Sequence, residues 1–346
     1  MSNIYIEQDQ LDDIQTVLAT EGLDRSMLVQ GCAGSGKTVL ALYRAKYCQN
    51  NDDSYFLIVY TKVLKGFIQD AIRELDLDPD RVVHFHGWKN LENRHVNYLI
   101  VDEVQDFTKP QIDIFFQSFS KSIACFGDSA QSLYTGCLGI NGILGEHQEL
   151  KAENLQKNYR FPKKIARVAK YLQKDDVEDI YVSRCVNEGQ QKPRLYKFDT
   201  YEEQIEYVVE TVKTRKLKDV GILLPTNSQV RSVLSELNER GMKCEARYKS
   251  YDETGNELEV NTLDFSTTNP KIATYHSAKG CQFNDVFLPM CENEQMDDFF
   301  RNPLYVAFTR AMNNIYVLYT YNLPNYFSMV PKDLYLVREQ QAKVDF

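Results

Sequence analysis

Short, wholly apolar runs alternate with helical patterns along this chain, and that alternation constrains its fold more tightly than any other feature. SMLVQG at 26–31 is followed by TVLALYRAKYC, YFLIVY by KVLKGFIQDAIREL, and NYLIVD by PQIDIFFQSF, with SIACFG closing the series. A strand that is apolar on both faces has to be covered on both, and strands joined through helices run parallel. The pattern therefore predicts an α/β architecture, a mainly parallel sheet flanked by helices. The rhythm returns in VGILLP, SQVRSVLSELNERG, KIATYH, DVFLPM and NIYVLYT. Two series predict two domains, the first over 1–155 and the second over 156–346, each long enough for its own core. Between them, Pro162 in NYRFPKKIARVAKYLQK is placed to start a helix. The polar, turn-rich stretch 251–270 reads as a hairpin or loop.

Composition narrows the class. The chain is 43% hydrophobic and 26% charged, as in ordinary folded domains. Its first residues, MSNIYIEQDQ, carry no basic region followed by an apolar one, and no apolar run is long enough to span a bilayer. A cytoplasmic location is the expectation. Eight cysteines occur without a C-x-x-C pair, which argues against a zinc ribbon, an iron–sulfur cluster or a stapled secreted fold. A net charge of −9 counts against a broad nucleic-acid-coating surface while leaving room for a narrow cationic groove. VVHFHGW at 82–88 sets two histidines beside the sole tryptophan. In a continuous strand His84 and His86 would share a face, but no third and fourth ligand stands nearby at metal spacing.

The chemistry is concentrated in two segments. GCAGSGKT at 31–38 fits G-x-x-x-x-G-K-[ST], follows a strand and opens a helix. Gly31, Gly34 and Gly36 let backbone N–H groups, that of Ser35 among them, approach phosphates at a helix N-terminus. Lys37 would contact the β and γ oxygens, and the Thr38 hydroxyl would ligate Mg²⁺. LIVDEVQD at 99–106 ends an apolar strand on Asp102, a carboxylate placed to hold Mg²⁺. Glu103 beside it is placed to deprotonate a water, which points to hydrolysis rather than transfer to a metabolite. Arg160 in NYRFP and Arg310 in YVAFTRAM fall in the second half. If the halves face each other, both can reach the γ-phosphate, and such a cation is worth about 10³–10⁵ in rate.

Taken together, these segments resemble the superfamily 1 helicases of the UvrD/Rep type. LDDIQ at 11–15 looks like the family's adenine-reading motif, with Gln15 sixteen positions before Gly31. GDSAQSLY at 127–134 is similar to the motif whose glutamine, here Gln131, senses the γ-phosphate. NYR, TYHSAKGCQF at 274–283 and YVAFTRA at 305–311 follow in the family's order. The matches run from residue 11 to residue 311. The resemblance implies two RecA-like P-loop domains with ATP and Mg²⁺ in a cleft between them, the C-terminal one supplying arginine fingers. It also implies hydrolysis on binding single-stranded DNA, or RNA, and movement 3′ to 5′ on DNA. Strand contacts are expected at Phe85 and His86, with Trp88 one turn beyond, at Tyr60 as a stacking aromatic, and at His276. Lys62, Lys65 and Lys279 would meet phosphates.

Three departures stand out. Gly136 occupies the place of an aromatic wedge after GDSAQSLY, so one stacking platform is missing. About forty residues separate IVYTK from LIVDE and about 115 separate NYR from YHSAKG, leaving little room for accessory insertions. Gln282 stands where the family carries a ribose-binding glutamate, and Pro225 where an arginine is common. Gly136 and the missing insertions favour an alternative: a strand-responsive regulatory ATPase without unwinding activity that switches a partner protein such as a nuclease.

Overall fold

Each apolar run becomes a strand with its side chains buried on both faces. The computed structural model describes residues 4–173, 180–189, 191–251, 255–292 and 298–338. It divides into two units, Ser2–Arg160 and Phe161–Phe346, so the division falls five residues beyond the sequence boundary. The NYR segment therefore belongs to the N-terminal unit, which corrects its expected place in the second domain.

The N-terminal unit holds β1 (Met27–Gly31), β2 (Tyr55–Val59), β3 (Val82–His84), β4 (Val96–Val101), β5 (Phe119–Gly127) and β6 (Lys151–Leu155). They form one sheet in the order β3-β2-β4-β5-β1-β6, parallel at every pairing. β5 lies between β1 and β4, so the loops leaving those two strands are separated by one strand at the same edge. In open α/β sheets, ligands gather at that carboxyl edge.

Two helices frame the phosphate loop. α1 (Asp13–Thr20) starts in a capping box: Asp12 accepts from the Gln15 N–H at 2.9 Å and the Gln15 side chain accepts from the Asp12 N–H at 3.0 Å. Such a box satisfies two otherwise orphaned backbone donors. α2 (Lys37–Asn50) packs against α1 through a buried cation. Arg44 Nη1 donates to the carbonyls of Leu18 and Glu21, and Nη2 to that of Gly22. The guanidinium thus binds the Leu18 carbonyl in the last turn of α1 and the carbonyls of Glu21 and Gly22 just beyond it, groups that a helix end leaves without helical partners.

The VVHFHGW stretch does not remain a strand. β3 ends at His84, and Phe85–Lys89 turns into a short helix, so His84 and His86 do not share a strand face. Phe85 and Trp88 point into the core, 3% and 0% exposed, among Phe107 and Phe115. Ring centroids there lie 4.9–6.3 Å apart, mostly edge-on or tilted, the arrangement aromatic quadrupoles favour.

The C-terminal unit holds β7 (Arg194–Lys197), β8 (Val220–Leu224), β9 (Glu245–Tyr251), β10 (Glu257–Asn261), β11 (Lys271–Thr274), β12 (Phe283–Leu288), β13 (Ala311–Tyr319) and β14 (Leu336–Val337). Their order is β10-β9-β11-β8-β12-β13-β7-β14. Among the described residues of this unit only β9 and β10 pair antiparallel, forming the hairpin that the polar stretch predicts; residues 252–254 of it lie outside the described residues. Pro162 is the N-cap of the helix Lys163–Ala169. Beneath the hairpin, Lys271 Nζ lies 2.9 Å from Glu245 Oε2. Glu245 also accepts from Thr267, from Asn269 Nδ2 at 3.0 Å and from the Asp264 N–H at 2.7 Å, which pins the 262–270 loop. Among the described residues no helix is long and apolar enough to cross a membrane.

Candidate nucleotide site and the segments around it

The loop after β1 depends on glycine for two separate reasons. Gly34 and Gly36 adopt φ +79° and +89°, the left-handed region that L side chains rarely enter. Both are also crowded: a Cβ at Gly34 would sit 2.3 Å from Asn158 Oδ1 and 2.5 Å from Arg160 Cβ, and one at Gly36 would sit 2.7 Å from Gln15 Nε2. Lys37 opens α2, and its Nζ donates to the carbonyls of Gly31 and Cys32 at 2.8 and 3.0 Å. The buried Ser35 hydroxyl has no hydrogen-bond partner among the described residues, a donor suited to an anion seated in the loop.

Across the sheet edge, Thr38 Oγ1 donates to Asp102 Oδ2 at 2.7 Å. Asp102 is fully buried. Burial, together with Glu103 beside it, pushes its carboxyl upward, while the Thr38 hydroxyl and Lys37 pull the other way. A buried carboxylate paired with a hydroxyl oxygen is a hard-oxygen donor set that fits Mg²⁺, and a bound dication would hold the acid ionised. Thr38 and Asp102 are thus the residues that would hold the metal.

Glu103 adopts φ +56° at the entry to a 3₁₀ turn, Val104–Asp106. A non-glycine residue in that region carries strain of order 1–3 kcal/mol, a cost seen most often at functional positions. Gln105 Nε2 donates to Glu103 Oε2 at 2.6 Å, and Gln105 Oε1 accepts from the Asp128 N–H at 3.0 Å. Asp128, just beyond β5, accepts from Gln131 Nε2 at 2.5 Å. A continuous buried relay therefore runs from the candidate base to Gln131, across the ends of β4 and β5. Gln105 and Asp128 were not among the residues singled out from sequence; their signal was only their places inside DEVQD and GDSAQ.

Gln15 is buried, and both of its side-chain polar atoms are engaged: Oε1 in the α1 cap, and Nε2 as donor to the Ser35 carbonyl at 3.0 Å. The NYR segment lies on the phosphate loop. Tyr159 N–H donates to the Gly34 carbonyl at 2.9 Å, Asn158 Oδ1 accepts from the Arg160 N–H at 2.9 Å, and Tyr159 Oη donates to Asp12 at 2.5 Å. Asn158 and Tyr159 anchor the segment that carries Arg160, and sequence reasoning had weighted the arginine alone.

In the C-terminal unit Arg310 is 1% exposed. Its Nε donates to the Val306 carbonyl at 2.9 Å and Nη1 to that of Cys281 at 3.2 Å. The guanidinium thus ties the turn before β13 to the segment that carries Gln282. Lys279 is buried and His276 half-buried; burial, then the neighbouring Lys279, pushes the His276 imidazole downward. Of the expected strand contacts in the N-terminal unit, His86 and Lys62 are exposed. Tyr60 packs against Phe107 and Tyr134, at 5.1 and 5.2 Å between centroids. Phe85 and Trp88 are corrected to core residues, because a base cannot stack on a ring that has no free face.

Comparison with known proteins matches the AAA domain family over residues 15–137 and the UvrD-like helicase C-terminal domain over residues 272–318. A protein of Acanthamoeba polyphaga mimivirus that carries the name of an ATP-dependent DNA helicase is 23% identical, over 97% of this chain and 58% of its own length. F-box DNA helicase protein 1 of Schizosaccharomyces pombe is 28% identical over 34% of this chain and 14% of its own. The chain thus spans little more than half of one relative and about a seventh of the other. The crystal structure of Arterivirus nonstructural protein 10 (helicase) overlays with a TM-score of 0.48 at 15% identity, covering 92% of this chain and 64% of that one. The first match takes in the phosphate loop, the DE carboxylates and Gln131, and the second takes in Gln282 and Arg310; over these two segments the chain is similar to helicases of the UvrD-like kind.

Proposed function

We propose that this chain is an ATP hydrolase driven by single-stranded DNA, a helicase or translocase of the UvrD type moving 3′ to 5′. The observation that carries the reading is the relay from Glu103 through Gln105 and Asp128 to Gln131. A residue that acts on the attacking water is wired there to one assigned to sensing the γ-phosphate. In this reading the loop N–H groups and Lys37 bind the triphosphate. Thr38 and Asp102 would hold Mg²⁺, which would supply charge neutralisation for the bound triphosphate. Glu103 takes a proton from the attacking water at its carboxylate. Arg160 and Arg310 are the cations the family resemblance assigns to the developing charge. The nucleotide and strand roles of Gln15, Gln282, Tyr60, Lys62, His86, His276 and Lys279 belong to the same proposal.

The deciding experiment is steady-state ATP hydrolysis with and without single-stranded DNA. Strand stimulation that disappears in Lys37→Ala supports the reading; strand-independent turnover, or turnover that survives the substitution, overturns it. Polarity is tested by displacement from substrates with a single 3′ or 5′ tail.

A second reading is favoured by Gly136. It has φ +82°, and no atom lies within 4 Å of where a Cβ would be, so an open turn stands where the family carries an aromatic wedge. A regulatory ATPase that acts on a partner protein would hydrolyse ATP on strands yet leave a forked duplex intact. Robust unwinding of a fork by the isolated chain excludes it.

A further inference from the structure

The C-terminal unit contains a cavity of about 590 Å³ beside the first residues of β7 and β13. Arg194, Arg215, Asn187, Gln191, Asn313 and Asn314 line it, so its wall is rich in guanidinium and amide groups. Arg194 is 5% exposed. Its guanidinium lies 4.8 Å from the centroid of the Tyr316 ring, and Nη1 donates to Asn314 Oδ1 at 3.2 Å. Asn314 is itself oriented, because its Nδ2 donates to Asp285 Oδ1 at 2.8 Å. Arg215 sits 6.0 Å from the same ring and donates Nη1 to the Tyr316 hydroxyl at 3.0 Å. Tyr316 is stacked on Phe287, 4.3 Å between centroids and 9° from parallel.

Two guanidiniums are therefore held in place by one fixed aromatic ring and one fixed amide. A guanidinium carries five N–H donors in a planar fork, and these contacts use one on each. A paired fork of this kind matches the oxygens of a phosphate. The side-chain amides can both donate to and accept from a base edge or sugar hydroxyl, and the volume falls within the roughly 300–1,000 Å³ of small-molecule sites. The scarcity of apolar lining argues against an apolar guest.

We infer that this cavity is a phosphate site that takes a nucleotide, either free or as one unit of a strand. It is carried entirely by the C-terminal unit and does not depend on the hydrolysis reading.

The test uses the full chain in two arms. In the first, binding of inorganic phosphate and of thymidine 5′-monophosphate is measured by calorimetry in a Lys37→Ala background, which weakens the phosphate loop's own contribution. In the second, oligo(dT) binding is titrated with salt. Arg215→Gln, at an exposed position, and Arg194→Lys, which keeps the charge but loses the fork, are compared with the parent. A free-nucleotide site predicts about tenfold weaker phosphate or monophosphate binding in both variants, with oligo(dT) unchanged. A strand site predicts a salt slope for oligo(dT) shallower by about one in Arg215→Gln. Parent-like isotherms and slopes in both variants, or no binding beyond the phosphate loop in the parent, overturn the inference. Loss of strand-stimulated hydrolysis alone would leave it standing.

Discussion

Gln105 holds Glu103: its amide donates to the carboxylate at 2.6 Å while its oxygen is fixed by the Asp128 N–H. Glu103→Gln removes the proposed proton acceptor and should lower kcat by about 10²–10⁴. Gln105→Ala keeps the acceptor but frees its direction. It should lower kcat by about tenfold with KM for ATP nearly unchanged, the signature of a contact that matters only in the transition state. Steady-state kinetics decide; a raised KM at constant kcat would assign Gln105 to ground-state binding instead.

Gly34 is constrained by its own torsion and by its neighbours. Gly34→Ala introduces a Cβ into Asn158 and Arg160 at a left-handed φ, so stability should fall by about 1–3 kcal/mol. Nucleotide affinity should drop with it, because the NYR segment has to move. Denaturant unfolding and nucleotide titration measure the two effects.

Trp88 and His86 separate packing from contact. Trp88→Ala should cost about 3–5 kcal/mol by opening the aromatic core. The exposed His86→Ala should stay within about 0.5 kcal/mol of the parent while weakening binding to single-stranded DNA. Equal stability losses in the two would put His86 in the core as well.

The Glu245–Lys271 pair predicts acid sensitivity. Burial alone would raise the Glu245 carboxyl, but donation from Thr267, Lys271, Asn269 and the Asp264 N–H outweighs it, so the net shift is below the ordinary value of 4.5. A group depressed by folding contributes fully above its unfolded pKa, and that contribution is lost as pH falls towards its folded one. Unfolding of the parent should therefore ease below about pH 4.5, and Glu245→Gln should flatten that acid limb. Thermal melts from pH 3 to 7 provide the measurement.

The sheet-forming runs and the phosphate loop were legible because both are local: apolar strands of set length and a glycine spacing that follows a strand. β6, β7 and β14 were not, since they are short, polar or at sheet edges and gain their pairing only from neighbours distant in sequence. The 82–88 stretch misled because its apolar residues fit a strand and a helical turn equally well. Gly87 belongs to the turn, where the His84 ring lies against it and a Cβ would meet Cε1 at 2.8 Å. Arg160 illustrates a limit of a different kind. Its position beside the phosphate loop follows from Asn158 and Tyr159 bonding across the fold, which spacing along the chain cannot express.

Arg44 joins the end of one helix to the body of the next. The glutamine at the head of α1 and the lysine at the head of α2 consequently ride on a single stiff wedge. The turns after β4 and β5 are fixed by other means: Glu103 has a left-handed φ of +56°, and Asp128 bonds to both Gln105 and Gln131.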